Sequence, residues 1–136
     1  MKPELRREAR DLALVAAGAI PGALLRWTLE SAAYSLVGGL RGVVSADFLA
    51  NMIGCLLIGG VLAQGPSRVR LSLAVGIGFC GSLTTFSSWM LELAKALRAG
   101  DAGAAIAVLA TSLLLGVALV MVGYEIGQTL QRRRLG

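Results

Sequence analysis

The sequence predicts an all-α membrane protein with four transmembrane helices, the third broken at mid-membrane. Three observations carry that reading. The 136 residues are 56% hydrophobic and only 15% charged, where soluble domains carry about a quarter charged residues. The charges are segregated: 48–67, 71–91 and 102–124 hold none, giving gaps of 20, 21 and 23 residues. A helix needs roughly 20 apolar residues to cross the hydrocarbon core. Finally, "GSLTTFSSW" (81–89) turns polar inside an apolar segment, with hydroxyls at Ser82, Thr84, Thr85, Ser87 and Ser88.

The length suits one transmembrane domain, residues 1–136. Residues 1–11 read as a charged interfacial helix, and the first span is 12–29. That span needs Arg26 to snorkel to the interface or to face a wet cavity. A signal peptide is the competing reading of this basic start and apolar run. The run contains Pro21 and Arg26 and continues toward Glu30 without a good small-residue cleavage site, which favours a span. A short loop with Gly38, Gly39, Arg41 and Gly42 follows. The second span is 44–62, and "QGPSR" (64–68) is a turn by its Gly-Pro content. The third span is 71–93 and the fourth 102–126, linked by a basic stretch with Lys95, Arg98 and Asp101.

An even number of spans puts both termini on one side. Lys and Arg near the span ends set orientation. The terminal side holds nine: Lys2, Arg6, Arg7, Arg10, Arg68, Arg70 and Arg132, Arg133, Arg134. The other side holds three, Arg41, Lys95 and Arg98, with Arg26 uncounted. Both termini are therefore expected in the cytoplasm. The net charge of +5 is a weak pointer to nucleic acid, because the basic residues sit at chain ends and loops. Small residues, including Gly18 with Gly22 and Gly123 with Gly127, let membrane helices approach closely. Cys55 and Cys80 lack metal or disulfide spacing and read as packing residues. The absence of His excludes imidazole metal sites and His-based catalytic triads.

The polar stretch carries the chemistry. Backbone breaks at membrane depth are tolerated only where buried in protein or lining a water-filled cavity. "GFCGSLTTFSS" (78–88) has Gly78, Gly81 and low helix propensity. Freed carbonyls at such a break can hold a cation, and freed N–H groups can face an anion. If the helix resumes there, Thr84, Ser88 and Glu92 line one face, with Phe86 and Trp89 on a neighbouring one. Asp47 and Asn51 are one turn apart in the second span, and Ser112 is polar within the fourth. Hydroxyls and an Asn amide can donate to an anion, and aromatic ring edges carry partial positive charge. Neutral donors can replace the water of a small anion and still release it. The plainer reading is that Ser and Thr bond their own i−4 carbonyls.

The sequence resembles the small bacterial fluoride channels (Fluc, also called CrcB). "GALLRW" (22–27), "ANMIGCLLIG" (50–59) and above all "GFCGSLTTFSSWMLE" (78–92) match that family's motifs in order. The resemblance implies four helices in an antiparallel dual-topology-type dimer with two narrow pores. It implies passage of fluoride out of the cytoplasm down its gradient, across a bacterial inner membrane. It implies a structural sodium ion at the dimer centre, not transported, on the carbonyls of Gly81 and Thr84. By the same resemblance the pore-facing Asn is Asn51, and the first pore phenylalanine is Phe86. The second falls on Trp89, a departure. The hydroxyl track falls on Thr85, Ser88 and Ser112, with Gly116 where some relatives have Ser. Arg26 matches a vestibule arginine, and Glu92 a carboxylate near the end of the third helix.

Two features sharpen the partner question. An antiparallel homodimer needs a chain that inserts both ways, and nine against three is a strong bias. Trp89 also replaces a pore aromatic. A heterodimer with a related, oppositely oriented subunit is therefore weighed beside the homodimer. The rival function is a small four-helix proton-coupled cation or drug exporter. That chemistry needs a carboxylate deep in the membrane, whereas Asp47 and Glu92 lie near span ends. An enzyme is disfavoured because there is no His, no conspicuous nucleophile–base pair and no acid dyad.

Overall fold

The computed structural model describes residues 2–135. Helix α1 is Pro3–Ala33. Pro3 opens it at a position where the missing N–H costs nothing. The expected interfacial helix over 1–11 is continuous with the first span, and Pro21 is carried inside α1. At 31 residues the helix is about 46 Å long, so its charged first turns project beyond a hydrocarbon core of about 30 Å. The loop expected around 38–42 is helical instead. A π-helical segment, Tyr34–Gly38, leads directly into α2, Gly39–Leu62.

The "QGPSR" turn forms as read, with Gly65 at φ +73°, a left-handed conformation that glycine adopts without strain. Helix α3 (69–83) then has three parts: Val69–Leu71, the π-helical Ser72–Cys80, and Gly81–Leu83. The chain leaves helical geometry at Thr84 (φ −79°, ψ 153°). It resumes as α4, Ser87–Arg98. Gly100 (φ +72°) closes α4. Asp101 Oδ1 accepts the Ala104 N–H at 2.8 Å and so caps α5, Ala102–Leu135. Removing that cap in Asp101→Ala is expected to cost about 1 kcal/mol, measurable as a small fall in Tm.

Four stretches are long and apolar enough to cross a membrane: Pro3–Val37, Val44–Leu62, Val69–Arg98 and Ala102–Arg133. The chain is thus a multi-pass membrane protein. Its surface agrees: Leu12, Ile20, Ile106, Leu114 and Met121 are all more than half exposed. Such a surface is unfavourable in water and ordinary in lipid.

Two helix pairs build the bundle, each by backbone contact. A Cβ on Gly18 would overlap the Ala74 carbonyl oxygen, and one on Gly78 the Val15 carbonyl oxygen. These contacts press α1 onto the π-helical part of α3. A Cβ on Gly59 would overlap the Val120 carbonyl oxygen, and one on Gly123 the Leu56 carbonyl oxygen. These press α2 onto α5. Without hydrophobic drive between lipid-immersed helices, such close approach is what dispersion requires. The tightly packed interior is small: Ala46, Ala50, Met52, Ala63, Cys80, Leu83 and Ala105 are its buried apolar residues among those described.

The turn after α2 lies beside the start of α1, as an even number of spans requires. Arg7, Arg10, Arg68 and Arg70 gather there around a cavity of about 620 Å³.

Candidate ion pathway at the helix break

The break in α3 is built by competition for one backbone hydrogen. In a continuous α-helix the Thr85 N–H would bond to the Gly81 carbonyl four residues back. Here it donates to Asn51 Oδ1 at 2.8 Å. Asn51 Nδ2 in turn donates to the Thr85 carbonyl oxygen at 2.9 Å. One side chain from α2 thus satisfies both backbone groups of a residue in the break, and the Gly81 carbonyl loses its helical partner. The backbone N–H of Thr84 still bonds to the Cys80 carbonyl at 3.0 Å, after which ψ turns extended.

The hydroxyls divide into two groups. Ser82 Oγ donates to the Phe79 carbonyl at 3.1 Å, and Thr84 Oγ1 to the Cys80 carbonyl at 2.9 Å. These two follow the plainer reading of locally bonded hydroxyls. Thr85 Oγ1 and Ser87 Oγ share a hydrogen bond of 2.9 Å. Ser88 Oγ donates across to Asp47 Oδ2 on α2. The expected face of Thr84, Ser88 and Glu92 is shortened: the helix resumes only at Ser87, so Thr84 lies outside its register. The aromatic pair forms as expected. Phe86 and Trp89 have ring centroids 5.3 Å apart at an interplanar angle of 53°.

These parts converge on one cavity of about 950 Å³. Asn51 contributes from α2, Gly81, Thr84, Thr85 and Phe86 from the break and its flank, Ser88, Trp89 and Glu92 from α4, and Ser112 from α5. Nine of the eleven residues that the resemblance picks out therefore meet in one place. Arg26 does not line this cavity. Its Nε lies 3.4 Å from Glu30 Oε1 on the same helix. Gly116 does not line it either; a Cβ there would meet Cys55 Sγ, a wall residue, at 3.4 Å.

The electrostatics of the wall are uneven. It includes no Lys or Arg, but two carboxylates, Asp47 and Glu92. Glu92 is compensated by Lys95 Nζ at 3.4 Å. Asp47 is 3% exposed, and its Oδ1 has no hydrogen-bond partner among the described residues. Trp89 Nε1 is likewise buried without a partner. An unpaired buried donor and an unpaired buried acceptor both belong to one cavity wall. The sequence placed Asp47 near a span end and one turn from Asn51. Its contact with Ser88, 41 positions away, had no sequence signal. Thr111, a further hydroxyl of the wall on α5, was also missed; its turn-mate Ser112 was the available clue.

The family described as "CrcB-like protein, Camphor Resistance (CrcB)" matches residues 13–124. The chain belongs to the CrcB-like family. Among its relatives is a protein of Parasynechococcus marenigrum (strain WH8102) named fluoride-specific ion channel FluC 2. The two are 46% identical over 127 residues, covering 93% of this chain and 88% of the relative. Synechococcus sp. (strain CC9902) has two such relatives. Its fluoride-specific ion channel FluC 2 is 41% identical, covering 96% of this chain and 90% of the relative. Its FluC 1 is 36% identical, covering 88% and 94%. The CrcB-like match spans all four helices, break included.

Proposed function

We propose that this chain forms a fluoride-selective channel in a bacterial inner membrane. It lets cytoplasmic fluoride leave down its electrochemical gradient and so limits fluoride toxicity. It is not an enzyme. The observation that carries the reading is the broken helix. The break, Asn51, the Phe86–Trp89 ring pair and the hydroxyls of Thr85, Ser88 and Ser112 line one cavity, in a chain whose relatives are named fluoride-specific channels. Neutral donors and ring edges can replace the hydration of a small anion without trapping it. The buried, unpartnered Trp89 indole N–H adds a donor that a phenylalanine lacks.

The break also fits a structural sodium ion. The Gly81 carbonyl has lost its helical N–H donor to Asn51, Thr84 is extended, and the space where a Gly81 side chain would stand is open for 4 Å. No group of three His, Cys, Asp or Glu able to hold a metal occurs among the described residues, so neutral oxygens are the available donors. The Gly81 and Thr84 carbonyls would hold the ion, with a second subunit supplying the rest. Bound there, sodium would supply a fixed positive charge beside the break.

The second subunit is antiparallel and is either a copy of this chain or a related protein. The nine-against-three charge count favours one orientation, with cytoplasmic termini. One strain carries both a FluC 1 and a FluC 2, which supports the heterodimer. Topology tagging of the chain expressed alone decides: a single orientation retains the heterodimer, and equal populations leave the homodimer.

The function is tested by reconstitution in liposomes holding fluoride and sodium, with efflux read at an electrode after addition of a potassium ionophore. Chloride-loaded vesicles are the control. Fluoride-selective efflux is expected. Folded protein that is silent both alone and with a related subunit, or that passes chloride equally, overturns the reading. In the same assay Trp89→Phe keeps the ring and loses one donor, so efflux is expected within about tenfold of wild type. Trp89→Ala loses ring and donor together, and efflux is expected to fall about a hundredfold.

A further inference from the structure

An anion pathway with an uncompensated carboxylate in its wall poses a problem, and Asp47 is that carboxylate. It is 3% exposed. Among the described residues no Lys or Arg pairs with it, and its Oδ1 has no partner. Its other oxygen, Oδ2, takes the hydroxyl proton of Ser88. On α1, Glu30 is near enough to couple to it through a side-chain hydrogen bond and like-charge repulsion, and is itself paired with Arg26 at 3.4 Å. On α4 the other charges are Glu92 and Lys95, paired with each other, and Arg98 in its last turn. The α5 residues of the wall, Ala107, Val108, Thr111, Ser112 and Leu113, carry none.

The hydroxyl of Ser88 has one hydrogen and can give it to only one acceptor. While Asp47 is ionised, the acceptor is Asp47, because a hydrogen bond to a carboxylate is roughly twice as strong as a neutral one. Ser88 then has only oxygen lone pairs left for the cavity, which an anion avoids. A neutral group at position 47 reverses this. An amide can itself donate to Ser88 Oγ, and the Ser88 hydrogen becomes available to the ion.

We infer that Asp47 is a positioning residue for Ser88: its carboxylate holds the Ser88 hydroxyl away from the anion, and a neutral side chain at position 47 turns the hydroxyl into an anion ligand. No bond other than hydrogen bonds is made or broken. The inference rests on the channel reading above.

The test is fluoride efflux from liposomes at neutral pH, with protein-free vesicles subtracted for leak. Asp47→Asn is expected to raise efflux about tenfold over wild type, the scale of one hydrogen bond gained. Should it fail to fold, Asp47→Ser carries the same test. In a Ser88→Ala background, Asp47→Asn is expected to change nothing. Two results overturn the inference alone: a folded Asp47→Asn or Asp47→Ser with no gain, or an equal gain with and without Ser88. The last would show the charge acting directly on the ion. Wild type and variants all silent, alone and with a related subunit, remove the channel reading and this inference with it.

Discussion

Asn51→Ala is expected to lower the Tm of the detergent-solubilised protein by about 10 °C and to abolish ion passage. The substitution removes both hydrogen bonds to Thr85, of 2.8 and 2.9 Å. It leaves an N–H and a carbonyl in a part-buried site. Each orphaned group costs about 1–3 kcal/mol, so the loss is about 2–6 kcal/mol before relaxation. Native proteins are stable by only about 5–15 kcal/mol in all. The relaxation matters as much as the cost. Freed from Asn51, the Thr85 N–H can return to the Gly81 carbonyl and extend α3 through the break. That would withdraw the carbonyl proposed for sodium and rotate Phe86 and Trp89 away from the cavity. Asn51→Asp separates the two parts of the clamp. It keeps an acceptor for the Thr85 N–H but sets an oxygen against the Thr85 carbonyl, so it is expected to be at least as damaging as Ala. Melting each variant with and without sodium checks the argument. Wild-type Tm in both variants would mean that Asn51 does not hold the break.

This clamp marks where sequence reasoning reached its limit. The spans were legible because lipid imposes a single requirement, about 20 uncharged residues, and the charge gaps met it. The break was legible because Gly78, Gly81 and a run of hydroxyls are poor helix material. The residue that enforces the break was legible as a polar residue, but not in its role. The sequence assigned the Asn51 amide to an ion, whereas one of its hydrogens is committed to Thr85, 34 positions away. Periodicity shows which residues share a face of one helix. It says nothing about which neighbouring helix meets that face. The same gap hid the Asp47–Ser88 contact. It also placed Thr84 on a helical face, because periodicity assumes helix on both sides of a residue. Arg26 is the mirror case. Its position inside an apolar run signalled a cost, and the compensation comes from Glu30, one turn along the same helix. The loop expected around 38–42 failed for a local reason. Three glycines read as a break, yet helical geometry continues through them.

The second large effect concerns the seam between α2 and α5. Gly123→Val is expected to prevent stable assembly. At position 123 an added Cβ would overlap the Leu56 carbonyl oxygen, and at position 59 it would overlap the Val120 carbonyl oxygen. The obstruction is reciprocal, and it is backbone on both sides. A flexible side chain could swing clear, but a carbonyl locked in a helix cannot, so the helices must separate. Overpacking a core costs about 1–3 kcal/mol where neighbours can adjust; here, where they cannot, about 3 kcal/mol or more is expected. The separation also reaches the cavity, because Asn51 and Asp47 face it from α2 and Ser112 from α5. Gly60→Ala is the matched control. Its new Cβ would meet only the Gly123 carbonyl oxygen, at 3.6 Å, an ordinary contact. Size-exclusion profiles after graded heating should therefore show Gly123→Val lost at low temperature and Gly60→Ala close to wild type. Equal loss in both would mean that the seam is intolerant of any added atom, as a generally tight interface would be. Loss confined to Gly123→Val means that two carbonyls set how near the helices lie, and with it the width of the path between them.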